Sequence, residues 1–195
     1  VEDMLFEACE AISDPGQQMA LRVIARDAEV DAAEVEVEAE VIRLLALYQP
    51  VGIDLRMLCT ILKVNNDLER VADCAVNIAE RAAHGELQAV VRDNEELRQL
   101  YPTVRKALRG AVQAYSSNDP EAARAIREQD QGIDALYQQI IRNVLKAADV
   151  SRDDLAAYLD LLSVAKNLER IADHATNIAE DVIFLSTGQI VRHRE

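Results

Sequence analysis

Tryptophan is absent from the sequence, phenylalanine occurs twice, and four prolines and six glycines are spread over 195 residues. With so few breakers, long helical windows stay open, and no glycine or proline falls between Gln17 and Gln49. Alanine, leucine, glutamate and arginine dominate instead, and all four favour helix. Half of the residues are apolar, which excludes a disordered chain. The three cysteines, Cys9, Cys59 and Cys74, are odd in number and lack metal-type spacing. They point away from a disulfide framework and towards a reducing compartment. Cys59 lies among Leu58, Ile61 and Leu62 and reads as core rather than nucleophile. No basic segment followed by an apolar run opens the chain, and no apolar stretch is long enough to span a bilayer, so the expected setting is cytoplasmic. Positive charge is scarce: 35 acids against 21 bases leave a formal charge of -14. That balance opposes direct nucleic-acid binding and direct attachment to an anionic membrane, leaving contact with the membrane only through partners. Catalytic motifs are missing as well. There is no Gly-rich phosphate loop, no HExxH, no GxSxG and no plausible Ser-His-Asp set, and a ferritin-like di-iron site would need the Glu-x-x-His that does not occur. The sequence reads as non-enzymatic.

What is present is an all-α pattern. Breakers divide it into six expected helices: one ending near Ile12 before "SDPG", then Gln17 to Tyr48, Gly52 to His84, Asp93 to Ser116, Pro120 to Ala147, and Arg152 to Leu185. Asn118 or Asp119 is placed to cap the fifth, with Pro120 as its first residue, and Ser151 with Asp154 forms a capping-box-like start for the sixth. Gly85 reads as a C-cap or mild bend. "EVEVEAEV" alternates like a strand, but Val30, Val37, Val41 and Leu44 recur at helical spacing, so this stretch reads as helix.

The organising feature is a repeat. "DLERVADCAVNIAE" at Asp67–Glu80 returns a hundred residues later as "NLERIADHATNIAE" at Asn167–Glu180. The preceding helices echo each other too, with Asp27 and Asp31 matching Asp130 and Asp134. The duplicated unit is therefore three helices, which predicts a tandem repeat of two three-helix bundles over residues 1–92 and 93–195. Val64, Leu68, Val71, Ala75, Ile78 and Ala82 form a seam for burial, answered by Val164, Leu168, Ile171, Ala175, Ile178, Val182 and Leu185. Beside each seam runs a polar stripe: Asn66, Glu69, Asp73, Asn77 and Glu80, and then Lys166, Glu169, Asp173, Asn177 and Glu180. Arg70 and Arg170 lie one residue off each stripe, placed to soften the like-charge repulsion.

If each hairpin aligns its two helices, Asp27, Asp31, Glu69 and Asp73 converge in one half and Asp130, Asp134, Glu169 and Asp173 in the other. Two readings stand at this point. One is a solvated acidic face, common on helices of acidic proteins. The other is a carboxylate site for a hard cation, relieving a cluster that otherwise raises its own pKa values. Oxygen donors do not choose among magnesium, manganese, iron, zinc and calcium. His174 stands where the first repeat has Cys74 and reads as a tolerant packing position, and His84 reads as a helix C-terminal cap.

With these two motifs and the upstream "VIARDAEVDAAE" and "IREQDQGIDAL", the chain resembles the PhoU family of phosphate-specific transport accessory and regulatory proteins over nearly its whole length. The resemblance implies two three-helix bundles related by pseudo-twofold symmetry, and metal clusters held on the acid-x-x-x-Asp motif, which falls here on Glu69 with Asp73 and on Glu169 with Asp173. It implies negative regulation of phosphate uptake and starvation signalling, without catalysis. The implied partners are the ATPase subunit of a phosphate ABC transporter, a phosphate-sensing histidine kinase and a second copy of the chain in a homodimer. Against the family's long first helix, the dozen residues before "SDPG" read as a truncated one, and the chain does not open on methionine. A metal-buffering or metal-storage helical protein is the alternative reading.

Overall fold

The computed structural model describes residues 1–14, 17–84, 87–91, 94–148 and 155–191. Seven helices lie within them: α1 (Glu2–Ala11), α2 (Gln18–Tyr48), α3 (Gly52–Ala83), α4 (Leu87–Val91), α5 (Glu95–Ser117), α6 (Pro120–Ala148) and α7 (Leu155–Thr187). Six of these are the expected ones. The seventh, five-residue α4, comes from the stretch whose sequence signals are mixed.

Helix ends follow local chemistry. Asn94 caps α5 by accepting from the Leu97 N–H at 2.8 Å, so α5 starts slightly later than expected. Asn118 turns left-handed (φ 49°) at the end of α5, and Asp119 Oδ1 then accepts from the Glu121 and Ala122 N–H groups at the start of α6. Both residues thus act at this corner, one as stop and the other as cap. "EVEVEAEV" lies inside α2 as helix. Gly188 ends α7 at φ +74°, a conformation that favours glycine, and its N–H reaches the Phe184 carbonyl at 2.8 Å. Gly85 and the Ser151–Asp154 cap lie outside the described residues.

Helices α1, α2 and α3 pack together as one three-helix bundle, and α5, α6 and α7 as the other. The bundles join through α3 on α7. These two helices run antiparallel, as the cross-contacts show: Lys63 Nζ meets Asp181 at 2.9 Å, Asp67 meets His174 Nδ1 at 2.8 Å, and His84 Nδ1 meets Asp160 at 3.2 Å. This antiparallel crossing fits a twofold axis perpendicular to the two helices. Because α7 touches α3, α4, α5 and α6, it is buried on most sides. Its seam is sealed throughout, from Val164 to Leu185. The α3 seam is buried at Val64, Val71, Ala75, Ile78 and Ala82, while Leu68 is only partly covered.

The first half is more open. The far end of the α2–α3 hairpin leaves Ile42, Leu47, Tyr48, Val51, Ile53, Leu55 and Met57 exposed. Leu58, Cys59, Ile61 and Leu62 are only partly buried there, so Cys59 is a half-covered position rather than a core one. No helix among the described residues is long and apolar enough to cross a membrane.

Candidate functional site

Each acidic face forms where two long antiparallel helices of one half lie side by side. In the first half, Asp27, Asp31 and Glu34 follow each other at three- and four-residue steps on α2, beside Glu69, Asp73 and Glu80 on α3. The two helices are tied at this level by Asn65, whose side-chain amide donates to the Glu34 carbonyl at 2.9 Å. Asp27 is raised above the ordinary carboxylate range, first by burial and then by the negative charge of Asp31, Asp73 and Glu80. Glu69 is raised as well, by burial and by Asp73, Glu34 and Asp31, with Arg70 opposing. The expected four acids therefore share one electrostatic field across the hairpin. Glu34 and Glu80 belong to it too. Glu34 was legible as the next residue on the Asp27–Asp31 face, but its alternating surroundings drew attention to strand propensity instead.

The second half repeats the arrangement on α6 and α7. Burial, Asp134 and Glu169 raise Asp130, while a hydrogen bond from the Thr176 hydroxyl at 3.3 Å opposes the shift. Asp173 rises to about 6, through burial first and then Glu169, Asp130 and Asp134, with Lys166 opposing. Thr176 is the contributor that sequence reading missed; the first repeat has Val76 at its place.

The bases divide unequally. Arg70 lies 3.2 Å from Glu69 and 2.9 Å from Asp73, as its place beside the stripe suggests. Arg170 does not serve the second face in the same way. Its charge is felt by Cys74, in the other half, and Lys166 takes over by binding Glu169 at 2.6 Å. Of the histidines, His84 is the C-cap of α3 as expected, and His174 differs from expectation. His174 is more than a packing position, since it holds the buried Asp67 together with the Asn177 amide at 3.3 Å. His84 ends α3 and reaches across to Asp160, beside Arg81. Neither histidine belongs to an acidic face.

The donors suit a hard cation, because every one is a carboxylate oxygen. Asp27 Oδ1 is buried without a hydrogen-bond partner, and such an orphaned oxygen is the kind a cation satisfies, whereas Glu69 Oε2, also without a hydrogen bond, has the Arg70 guanidinium 3.2 Å away. Among the described residues, however, no group of three or more His, Cys, Asp or Glu side chains is arranged so that it could hold a metal ion. The faces gather charge across the hairpins without forming a closed ligand shell.

Two three-helix bundles, each with a carboxylate face on the same pair of helices, define a class of internally duplicated all-α proteins that present acidic surfaces. The PhoU domain family model matches the chain twice, at residues 1–82 and 97–182. The phosphate-specific transport system accessory protein PhoU homolog of Zymomonas mobilis is 34% identical over 193 residues, covering 99% of this chain and 81% of that protein. A homolog from Thermotoga maritima is 31% identical over 192 residues, covering 97% and 82%. The crystal structure of PhoU from Pseudomonas aeruginosa matches with a TM-score of 0.88 at 29% identity, covering 96% of this chain and 90% of that one. The Streptococcus pneumoniae phosphate transport regulatory protein PhoU matches at 0.86 and 26% identity, covering 97% and 89%. The chain belongs to the PhoU family, and membership gives it a non-enzymatic, phosphate-regulatory role.

Proposed function

We propose that the chain is a cytoplasmic adaptor that restrains phosphate uptake and phosphate-starvation signalling by docking on the ATPase subunit of a phosphate ABC transporter and on a sensor histidine kinase. The relatives' role in phosphate-specific transport supports the transporter as partner. The observation that carries the proposal is the duplicated acidic face: two patches, one per half, in which burial first and then neighbouring carboxyls raise an aspartate above its ordinary pKa range. Such patches are electrostatically strained when alone and are complementary to basic surfaces, where charge steers docking and selects partners.

Asp27, Asp31, Glu69 and Asp73 would hold a cation in the first half, and Asp130, Asp134, Glu169 and Asp173 in the second, once their side chains draw in from the open arrangement seen here. A bound divalent or ferric ion supplies positive charge there and satisfies the orphaned Oδ1 of Asp27. The protein's part is to set two rows of carboxylates facing each other and to decide, by their occupancy, whether the surface is strongly or weakly negative. The two charge states suit different partners, which makes occupancy a choice between them. The proposal includes a homodimer, which sedimentation of the purified chain reads directly.

The test measures affinity for the transporter ATPase and for the kinase, first with chelator present and then with manganese restored. Metal should change the two affinities in opposite directions by at least about tenfold, equivalent to ~1.4 kcal/mol. The double variant Asp130→Asn/Asp134→Asn should blunt that response. Affinities indifferent to chelation would remove the cation from the proposal, and no binding to either partner would remove the adaptor.

A further inference from the structure

The outer faces of the two halves diverge, and the divergence opens a cavity. Burial aligns α1 with α5 in one register: Met4, Leu5, Ala8 and Ala11 answer to Ala107, Leu108, Ala111 and Ala114, all of them buried. The same shift pairs Asp27 and Asp31 with Asp130 and Asp134, so it holds for α2 and α6 as well. Under it, Glu7 answers to Gly110, Met19 to Ala122, Arg22 to Ala125 and Arg26 to Gln129. All four positions lose volume in the second half. In the first half, Arg26 Nη1 lies 3.2 Å from Glu7 Oε1 and bridges α1 to α2. Gly110 and Gln129 make no such bridge, and between α5 and α6 lies an open cavity of about 430 Å³. Gly110 also sets the closeness of the two helices, since a Cβ there would meet Ile126 Cδ1 at 3.4 Å.

The rim reverses charge along with the loss of volume. Lys106 and Arg109, one turn apart on α5, stand where the first half has Asp3 and Phe6. Among the described residues neither makes an ion pair, in a chain of net charge -14, whereas their neighbour Arg105 is engaged over the Phe6 ring at 4.6 Å. The carboxylate that lines the cavity, Asp119, is at the far end beside Ser117, about 16 Å along the helix from Lys106. Its Oδ1 caps α6. The floor is apolar, built from Ala122, Ala125 and Ile126.

We propose that this cavity binds a dianionic organic phosphate of nucleoside-monophosphate size, with its phosphate on Lys106 and Arg109 and its body on the Ala122–Ala125–Ile126 floor. Two unpaired cations match a dianion, and the guanidinium fork of Arg109 suits phosphate oxygens. The volume lies within the range of small-ligand sites, and inorganic phosphate alone would leave the floor uncovered. The site is separate from both acidic faces and independent of partner docking, so its test omits metal and partner.

The full chain is titrated calorimetrically in chelator with four probes: adenosine 5′-monophosphate, inorganic phosphate, adenosine and a glutamate-rich peptide. The monophosphate should saturate with a Kd at or below about 1 mM, with inorganic phosphate and adenosine each at least tenfold weaker. Lys106→Ala and Arg109→Ala, both at exposed positions, should each weaken the monophosphate at least tenfold. Ala122→Met restores the bulk of the first half and should abolish binding with both cations still in place. If that variant misfolds, the two rim variants carry the test. Failure of the monophosphate to saturate overturns the proposal, as does full binding by a folded Ala122→Met chain. Inorganic phosphate binding as tightly as the monophosphate would reduce the site to a bare charge pair. Binding of the peptide alone would replace the ligand with an acidic protein segment.

Discussion

The two halves share a plan of eight carboxylates and neutralise them by different means. In the first, an arginine one residue off the stripe binds Glu69 and Asp73 at once. In the second, the matching arginine lies by Cys74, and a lysine from within the stripe binds Glu169 while Thr176 holds Asp130. The difference shows which constraint the duplicated fold keeps. Facing rows of acids survive in both halves, whereas the side chains that relieve them are interchangeable. The central α3–α7 crossing diverges too. Asp67 and His174 form an acid–imidazole pair there, whereas the equivalent positions of the other repeat carry Asn167 and Cys74, and the Asn167 amide donates to the Ser163 carbonyl of its own helix at 2.8 Å.

The largest expected effect separates the halves by burial. Leu68 and Leu168 occupy the same place in the motif, yet Leu168 is 1% exposed and Leu68 only partly covered. Leu168→Ala should lose about 2–5 kcal/mol of stability, the usual range for an emptied core site. Leu68→Ala should lose clearly less, because its surroundings already admit water. Urea denaturation of both variants checks the order, and equal losses would mean that the halves bury their seams alike.

A smaller effect comes from the crossing. His174→Cys copies the first repeat's residue and leaves Asp67, a buried carboxylate, with the Asn177 amide at 3.3 Å in place of the imidazole at 2.8 Å. A loss of about 1–3 kcal/mol is expected. Adding Asp67→Asn completes the copy and should recover most of it, which a double-mutant cycle reads as coupling between the two positions. Additive losses would show that the pair does not act as a unit.

Much of this molecule is legible in its sequence. Sparse breakers place the helix ends, and the spacing of Val71, Ala75 and Ile78 names the buried face. The acidic rows follow from the same arithmetic, since a helix sets residues four apart on one side. What stays hidden depends on which helix lies opposite. Periodicity reports that His84 and His174 sit near a boundary but not that each reaches a carboxylate of the other half. Nor does it show that α7 is covered on more sides than α3, or that Gly110, Ala122 and Ala125 together leave a cavity. Leu58, Cys59 and Ile61 have the pattern of core residues and are only partly buried, which their own spacing does not show.

The smallest expected effect is a pH dependence centred on Asp173, in metal-free protein. Asp173 titrates at about 6 in the fold and at about 3.9 in the unfolded chain. Between these values the folded state holds the proton that the unfolded state has released, so stability falls as pH rises through the window and this group adds no slope above or below it. Asp173 is an exposed residue, and solvent screening keeps the effect under about 1 kcal/mol. Asp173→Asn imitates the protonated form. The variant should melt with the wild type near pH 4 and above it at pH 7, the gap opening between those values. Asp73→Asn should gain less, because it gives up the Arg70 contact at 2.9 Å that has no counterpart at Asp173 among the described residues. Melting curves of Asp173→Asn and wild type that run parallel from pH 4 to pH 7 would mean that the second acidic face is not strained by its own charge, and with that the reason for a cation to bind there would go.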